Sequence, residues 1–359
     1  MFAPALPTLR RACWSRSERI VASLQSSDCG PVIHAARSST AAAPPPRIHL
    51  GQFAERECGC VGQDQTSGAR QIDPHARPKS DKIGELMLTG DRFWCAPMTS
   101  VLTEESGMGA GVQLHDFDVK PMSFHDRTRD VLIGKARGRP VIIMHEIFGL
   151  TPAVVDFARL LTAEDFRVYM PVLFGSSDPT AGKMRGIADF FCVMSEFKVL
   201  SNNDPGLWAD WIRDLASFAY TENAPGKGVG VIGLCLTGNL ALSAALNPCV
   251  TAPVMSEPSL PFFRAGGLHV SAEELSAVKM RVSNEGLVIR GYRYEKDWIC
   301  RRARFKDLCG AFKEGFKGTT IPASNCTLHS VFTEHLRDGN GNFRHGELRT
   351  LIEYLRARI

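Results

Sequence analysis

The sequence predicts an α/β fold: a mostly parallel sheet with helices on both faces, spanning residues 116–359 behind a poorly ordered extension over 1–115. Three observations predict it. From about Asp116 onward, apolar runs alternate with amphipathic helical stretches. The runs are continuously apolar, as strands covered on both faces are. Residues 1 to about 85 show no sustained helical or strand period and are rich in Ala, Arg, Ser and Pro, with SSTAAAPPP from Ser38 to Pro46.

The elements follow in order. Val131–Gly134 is a short apolar run, and the turn Arg137–Pro140 leads into Val141–His145, fit for a buried parallel strand. Pro152 opens a helix, since proline suits a first helical turn, and Val155, Phe157, Ala158, Leu160 and Leu161 give it a core-facing stripe. Phe166–Leu173 reads as the next strand. Trp208, Trp211, Ile212, Leu215 and Phe218 recur at helical spacing, a core stripe rather than a cofactor box. Gly228–Gly233 is a strand running into a turn, with a helix through Leu240–Leu246. Ala252–Met255 and Gly286–Gly291 are further strands, with a helix over Ala272–Val282 between them. The helix Arg301–Phe312, an extended Thr319–Thr327 and a last helix near Gly346–Arg358 complete the set.

Charge and composition exclude several functions. The chain has 359 residues, 42 Lys+Arg and 38 Asp+Glu, for a net charge of +4. The first fifty residues hold six Arg and two acids, so the remaining 309 balance at zero. That balance argues against a nucleic-acid partner. No stretch nears the ~18 apolar residues of a membrane span, so no membrane partner is expected. The Arg-rich, acid-poor leader resembles an organellar transit peptide more than a secretory signal. The expected location is cytoplasmic, or mitochondrial or another organelle if the leader is a targeting segment.

The eleven cysteines are odd in number and form no CxxC pair; Cys58 and Cys60 alone are too few for a tetrahedral site. They read as reduced, mostly buried small hydrophobes. No metal and no organic cofactor is expected. Asp338–Asn342 begins like a calcium loop, but Phe343 and Arg349 fail at its sixth and twelfth positions, so it reads as a turn. The sequon Asn325-Cys326-Thr327 has meaning only in a secreted chain.

The chemistry concentrates in Gly233-Leu234-Cys235-Leu236-Thr237-Gly238, between a strand and a helix. A nucleophile projecting from a tight strand-to-helix turn needs small neighbours. Gly233 meets that demand, whereas Thr237 is expected to crowd the turn. The following helix points its N-terminus at the sulfur and favours the thiolate. Asp297 follows a strand and precedes a helix, which suits either a helix cap or a catalytic acid. His329 follows the last extended segment, with His335 and His345 as rival bases. Nucleophile, acid, histidine is the order of an α/β-hydrolase.

His145-Glu146-Ile147-Phe148-Gly149-Leu150, Gly233–Gly238, Asp297-Trp298-Ile299-Cys300 and Leu328-His329-Ser330 together resemble the dienelactone hydrolase family, over about residues 116–359. The resemblance implies an α/β-hydrolase fold. It also implies roles: Cys235 as nucleophile, His329 as base, Asp297 as the group orienting it, and Glu146 as the acid that holds the resting thiol and helps activate it. An acid directly after a buried strand does need a partner. The backbone N–H groups of Ile147 and Leu236 would form the oxyanion hole. The implied reaction is hydrolysis of a small-molecule carboxylic ester or lactone through a thioester. Thr333 stands where lactone-cleaving members carry an arginine for the substrate carboxylate, leaving Arg185, Arg293 and Arg337 as candidates to replace it. The interval Ser259–Val282 could form a lid. A non-catalytic α/β-hydrolase-like protein that binds a small ligand or a partner is the alternative reading. The sequence carries no signal for an oligomeric state.

Overall fold

The computed structural model describes residues 114–193, 197, 206–223, 226–262, 264–336 and 345–359. The Arg-rich leader, Cys58, Cys60, Arg337 and the Asp338–Asn342 turn lie outside them. The strands are β1 Phe117–Phe124, β2 Arg127–Gly134, β3 Arg139–Met144, β4 Phe166–Pro171, β5 Val229–Leu234, β6 Val250–Ser256, β7 Ile289–Tyr294 and β8 Phe316–Ile321. The helices are α1 Pro152–Ala163, α2 Lys183–Val193, α3 Trp208–Glu222, α4 Gly238–Ala244, α5 Ala272–Glu285, α6 Arg302–Phe312 and α7 His345–Arg358.

The eight strands make one sheet in the order β1-β2-β4-β3-β5-β6-β7-β8. β1 and β2 pair antiparallel, as do β2 and β4, and every other pair is parallel. Side chains alternate across the sheet, so each central strand feeds two cores. Ile142 and Met144 of β3 join Trp208, Trp211, Leu240, Val278 and Leu308 from α3 to α6 on one face. Val141 and Ile143 join Val155, Leu161, Leu351 and Leu355 from α1 and α7 on the other. The expected helix layers on both faces are therefore present. Trp208 and Trp211 are wholly buried, as a core stripe should be, and the Arg129 guanidinium lies 4.7 Å from the Trp208 ring centre.

Local chemistry sets the boundaries. Thr151 caps α1, accepting from the Val154 N–H at 3.4 Å, with Pro152 next. Ser271 and Glu274 bond reciprocally across the start of α5, which ends at Gly286 in the left-handed conformation. β1 and β2 meet through a two-residue turn, His125 and Asp126, both at positive φ. The interval Ser259–Val282 is a wall of the domain rather than a free lid. Leu260, Val270 and Val278 are buried in the α3–α6 core, and the buried Arg304 guanidinium of α6 donates to the carbonyls of Leu260, Pro261, Arg264 and Gly267. Among the described cysteines, Cys235 and Cys300 are buried free thiols, Cys249 is a half-buried free thiol, Cys309 is half-buried, and Cys326 is disulfide-bonded. The expectation of uniformly reduced, mostly buried cysteines is corrected to that extent. No helix among the described residues is long and apolar enough to cross a membrane.

Candidate active site

The strand order reverses direction between β3 and β5, which neighbour each other although the chain visits β4 between them. In an open parallel sheet the crevice at such a reversal, outside the carboxyl ends of the strands, is where ligands bind. Glu146 follows β3 there, Cys235 follows β5, Asp297 follows β7 and His329 follows β8. A fifth residue, Glu257, follows β6.

Cys235 sits at φ +52, where side chains other than glycine are held only by a well-packed surround. A Cβ at Gly233 would collide with the Thr237 carbonyl, so glycine is required two residues before the sulfur. Thr237 does not crowd the turn. Its hydroxyl accepts from the Leu234 N–H at 3.0 Å and lies 3.0–3.1 Å from the carbonyls of Leu234, Met144 and His145, tying β5 to the end of β3. The space a threonine needs comes from its turning inward, while Gly238 packs its backbone against Pro258. Thr237→Ser should keep these bonds. Thr237→Val should leave the Leu234 N–H unpaired and lower unfolding free energy by about 1–3 kcal/mol. Urea unfolding of the two variants checks this.

His329 Nδ1 lies 2.7 Å from Asp297 Oδ2. The other oxygen, Oδ1, accepts from the amides of Ile299 at 2.8 Å and Cys300 at 2.9 Å. Asp297 therefore closes a short turn ahead of α6 instead of capping the helix, whose cap residue is Arg301. Burial alone would raise the Asp297 pKa, but the His329 charge and these three bonds bring it below the ordinary value. Burial likewise works against a charged His329, yet Asp297 on one side and Cys235 on the other hold its proton well above the usual imidazole range. Ser259 Oγ stands between His329 and Cys235, 3.4 Å from His329 Nε2 and 3.3 Å from Cys235 Sγ.

His335 Nδ1 accepts from the His329 N–H at 3.3 Å, so it steadies the main chain of His329. The His345 side chain lies outside the description. Arg293 is buried and donates to the carbonyls of Cys300 at 2.8 Å and Glu295 at 3.0 Å, bracing the Asp297 turn rather than facing a substrate. Arg185 is largely exposed beside Asp189.

Glu146 is buried, and burial raises its pKa. Its carboxylate accepts from the Ser330 hydroxyl at 3.0 Å and from the Thr333 hydroxyl. Thr333, which stands in place of the arginine that the family resemblance led one to look for, thus serves this acid. His145 is buried and stays neutral, its pKa lowered by burial to about 4. Its Nδ1–H donates to the Glu146 carbonyl at 2.9 Å and its Nε2 accepts from the Leu173 N–H at 3.1 Å. In a trans peptide the C=O and the next N–H point opposite ways. Fixing the Glu146 carbonyl therefore fixes the direction of the Ile147 N–H. Ile147 is half-buried in this loop, and Leu236 is buried in the turn Cys235–Thr237.

Sequence reasoning missed Glu257, Ser259 and Ser330. A Ser-Glu-Pro-Ser run reads as a turn, and only the alignment of β6 beside β5 brings it to the sulfur.

A mostly parallel sheet with a tight strand-to-helix turn after β5, an acid after β7 and a histidine after β8 follows the plan of the α/β-hydrolase fold. Residues 131–262 match the model of the dienelactone hydrolase family. The matched span holds Glu146 and Cys235 and stops before Asp297 and His329. No curated protein matches the chain. Similar solved structures include a dienelactone hydrolase from Anabaena variabilis, at 14% identity over 68% of this chain and 100% of that one, TM-score 0.46. A dienelactone hydrolase-like promiscuous phosphotriesterase, P91, from metagenomic libraries is 15% identical over 68% and 99%, TM-score 0.44. A carboxylesterase structure from Nitrososphaera gargenis is 14% identical over 67% and 100%, TM-score 0.43.

Proposed function

We propose that the chain hydrolyses a small carboxylic ester or lactone through a thioester on Cys235. The observation that carries the reading is the continuous arrangement Asp297–His329–Ser259–Cys235, with adjacent separations of 2.7, 3.4 and 3.3 Å. His329, held by Asp297, is within reach of the thiol proton across the Ser259 hydroxyl. The thiolate attacks the substrate carbonyl, and the N–H groups of Ile147 and Leu236 receive the developing oxyanion. Collapse expels the alkoxide, which takes the proton from His329. Water, deprotonated by the same imidazole, then cleaves the thioester and restores the thiol.

The test is to trap that intermediate. Brief incubation with a slowly deacylated aryl ester, acid quench and peptide mass spectrometry should find one acyl group, on Cys235. Acylation elsewhere, or none during turnover, sinks the reading. An inert buried thiol, as the binding-protein alternative requires, would also resist alkylation near neutral pH. Thr333 bears on specificity, because an arginine clamp on a carboxylate is hard to replace. Neutral esters are expected to be cleaved with kcat/KM at least equal to that of matched esters carrying a free carboxylate. A clear preference for the carboxylate would refute this.

A further inference from the structure

Glu257 is a wholly buried carboxyl that the reaction above does not use. It sits at φ +35, a conformation that non-glycine residues adopt only under constraint. Its main chain is held on both sides: its N–H donates to the Tyr292 carbonyl at 2.8 Å, and its carbonyl accepts from Ser259 Oγ at 3.1 Å. Oε2 accepts from the Val331 N–H at 3.2 Å and bonds the Ser256 hydroxyl. Oε1 is buried with no hydrogen-bond partner. A side chain buried at such cost, on a strained backbone, two residues from His329 through Val331, calls for a reason.

We propose that Glu257, as a neutral acid, is a positioning residue for the catalytic pair, holding the turn after His329 through the Val331 N–H and the Ser259 hydroxyl through its own carbonyl. The inference rests on the cysteine-hydrolase reading. Glu146 grips the same turn from β3 through Ser330 and Thr333, so two acids hold residues 330, 331 and 333 from opposite strands. Both could not ionise cheaply in this space. The charged groups near Glu257 are His329, which favours its anion, and Glu146, which opposes it. The adjoining titratable residues of β5 and β7 are Cys235 and Tyr292. Burial dominates and pushes the Glu257 pKa to about 8. Ionisation above that places a buried negative charge beside Glu146 and loosens the clamp.

Three readouts on the full chain test this. Glu257→Gln keeps an acceptor for Val331 and cannot ionise. It should hold kcat within about three-fold of wild type and abolish the activity inflection near pH 8. Glu257→Ala should lower kcat by about 10- to 100-fold at nearly unchanged KM, the cost of a base misplaced by a fraction of an ångström to an ångström. Infrared difference spectra in a Cys235→Ala background should show a protonated carboxyl at pH 7 that is lost on adding Glu257→Gln. That readout needs no turnover, so it stands even if Cys235→Ala shows the cysteine mechanism to be wrong. Equal losses in the Gln and Ala variants, an unchanged inflection in Glu257→Gln, wild-type kcat in Glu257→Ala, or no lost carboxyl band would each overturn the proposal. Should Glu257→Ala fail to fold, the pH profile and spectrum of Glu257→Gln decide. Stability gives a matching sign. A raised carboxyl pKa means the folded state binds more protons, so wild type loses stability as pH rises from about 4.5 to about 8. The melting advantage of Glu257→Gln should grow across that window.

Discussion

Cys235→Ala is expected to abolish ester hydrolysis, with kcat/KM falling by about 10³-fold or more, while far-ultraviolet circular dichroism stays unchanged. The contacts that hold the turn are made by Gly233, Thr237 and Gly238, so removing the sulfur takes away the proposed nucleophile and leaves the turn's own ties in place. Cys235→Ser should lose activity as well, because a serine hydroxyl is much harder to deprotonate than a thiol. Both variants should lose the single fast alkylation. Steady-state kinetics with an activated ester checks this, and a Cys235→Ala protein that turns over at the wild-type rate would discard the mechanism.

Asp297→Asn is expected to be nearly as damaging, for a reason legible in the bonds. Asp297 Oδ1 accepts from two amides and Oδ2 faces His329 Nδ1. An asparagine keeps its carbonyl on the amides and turns its NH2 toward the imidazole. Nδ1 must then accept, Nε2 carries the proton, and the base cannot take another. A wrong tautomer of this kind costs about 10⁴-fold in kcat in the well-studied serine-protease case, with KM little changed. A kcat within ten-fold of wild type would show that Asp297 does not orient the base. The pair also leaves a pH signature. His329, with a raised pKa, stabilises the fold fully below about 6.5 and loses that contribution as pH rises through its folded value. Asp297, with a lowered pKa, contributes above about 3.8 and loses that contribution as pH falls through its folded value. The melting difference between wild type and Asp297→Asn should therefore peak between those values.

Much of the central sheet was legible because its signals are local. Val141–His145 and Gly228–Gly233 are apolar runs with nothing else to be, and Pro152 marks a helix start in one residue. β1 was not legible. It is an edge strand with Pro121 inside it and polar residues on its open side, and its His-Asp turn lacks the glycine that usually advertises a hairpin. β7 runs from Ile289 to Tyr294 instead of Gly286–Gly291, because Gly286 ends α5. The candidate triad could be read from motif order along the chain. Its supports could not. Arg293 looks like a ligand for a substrate until the fold turns it onto the carbonyls of its own loop. Thr333 looks like a lost arginine until the last turn brings it to Glu146. Such roles depend on which strand ends lie side by side, and no residue's neighbours in sequence report that.

The backbone twist at Cys235 has an evolutionary consequence. A left-handed conformation shuts out β-branched side chains, so threonine, the third common hydroxyl or thiol nucleophile, has no route into this position. Serine does fit, and one nucleotide separates its codons from those of cysteine. The backbone of this turn thus admits a sulfur or an oxygen at its tip, and what would tell the two apart is the set of side chains facing it, His329 and Ser259, rather than the turn itself.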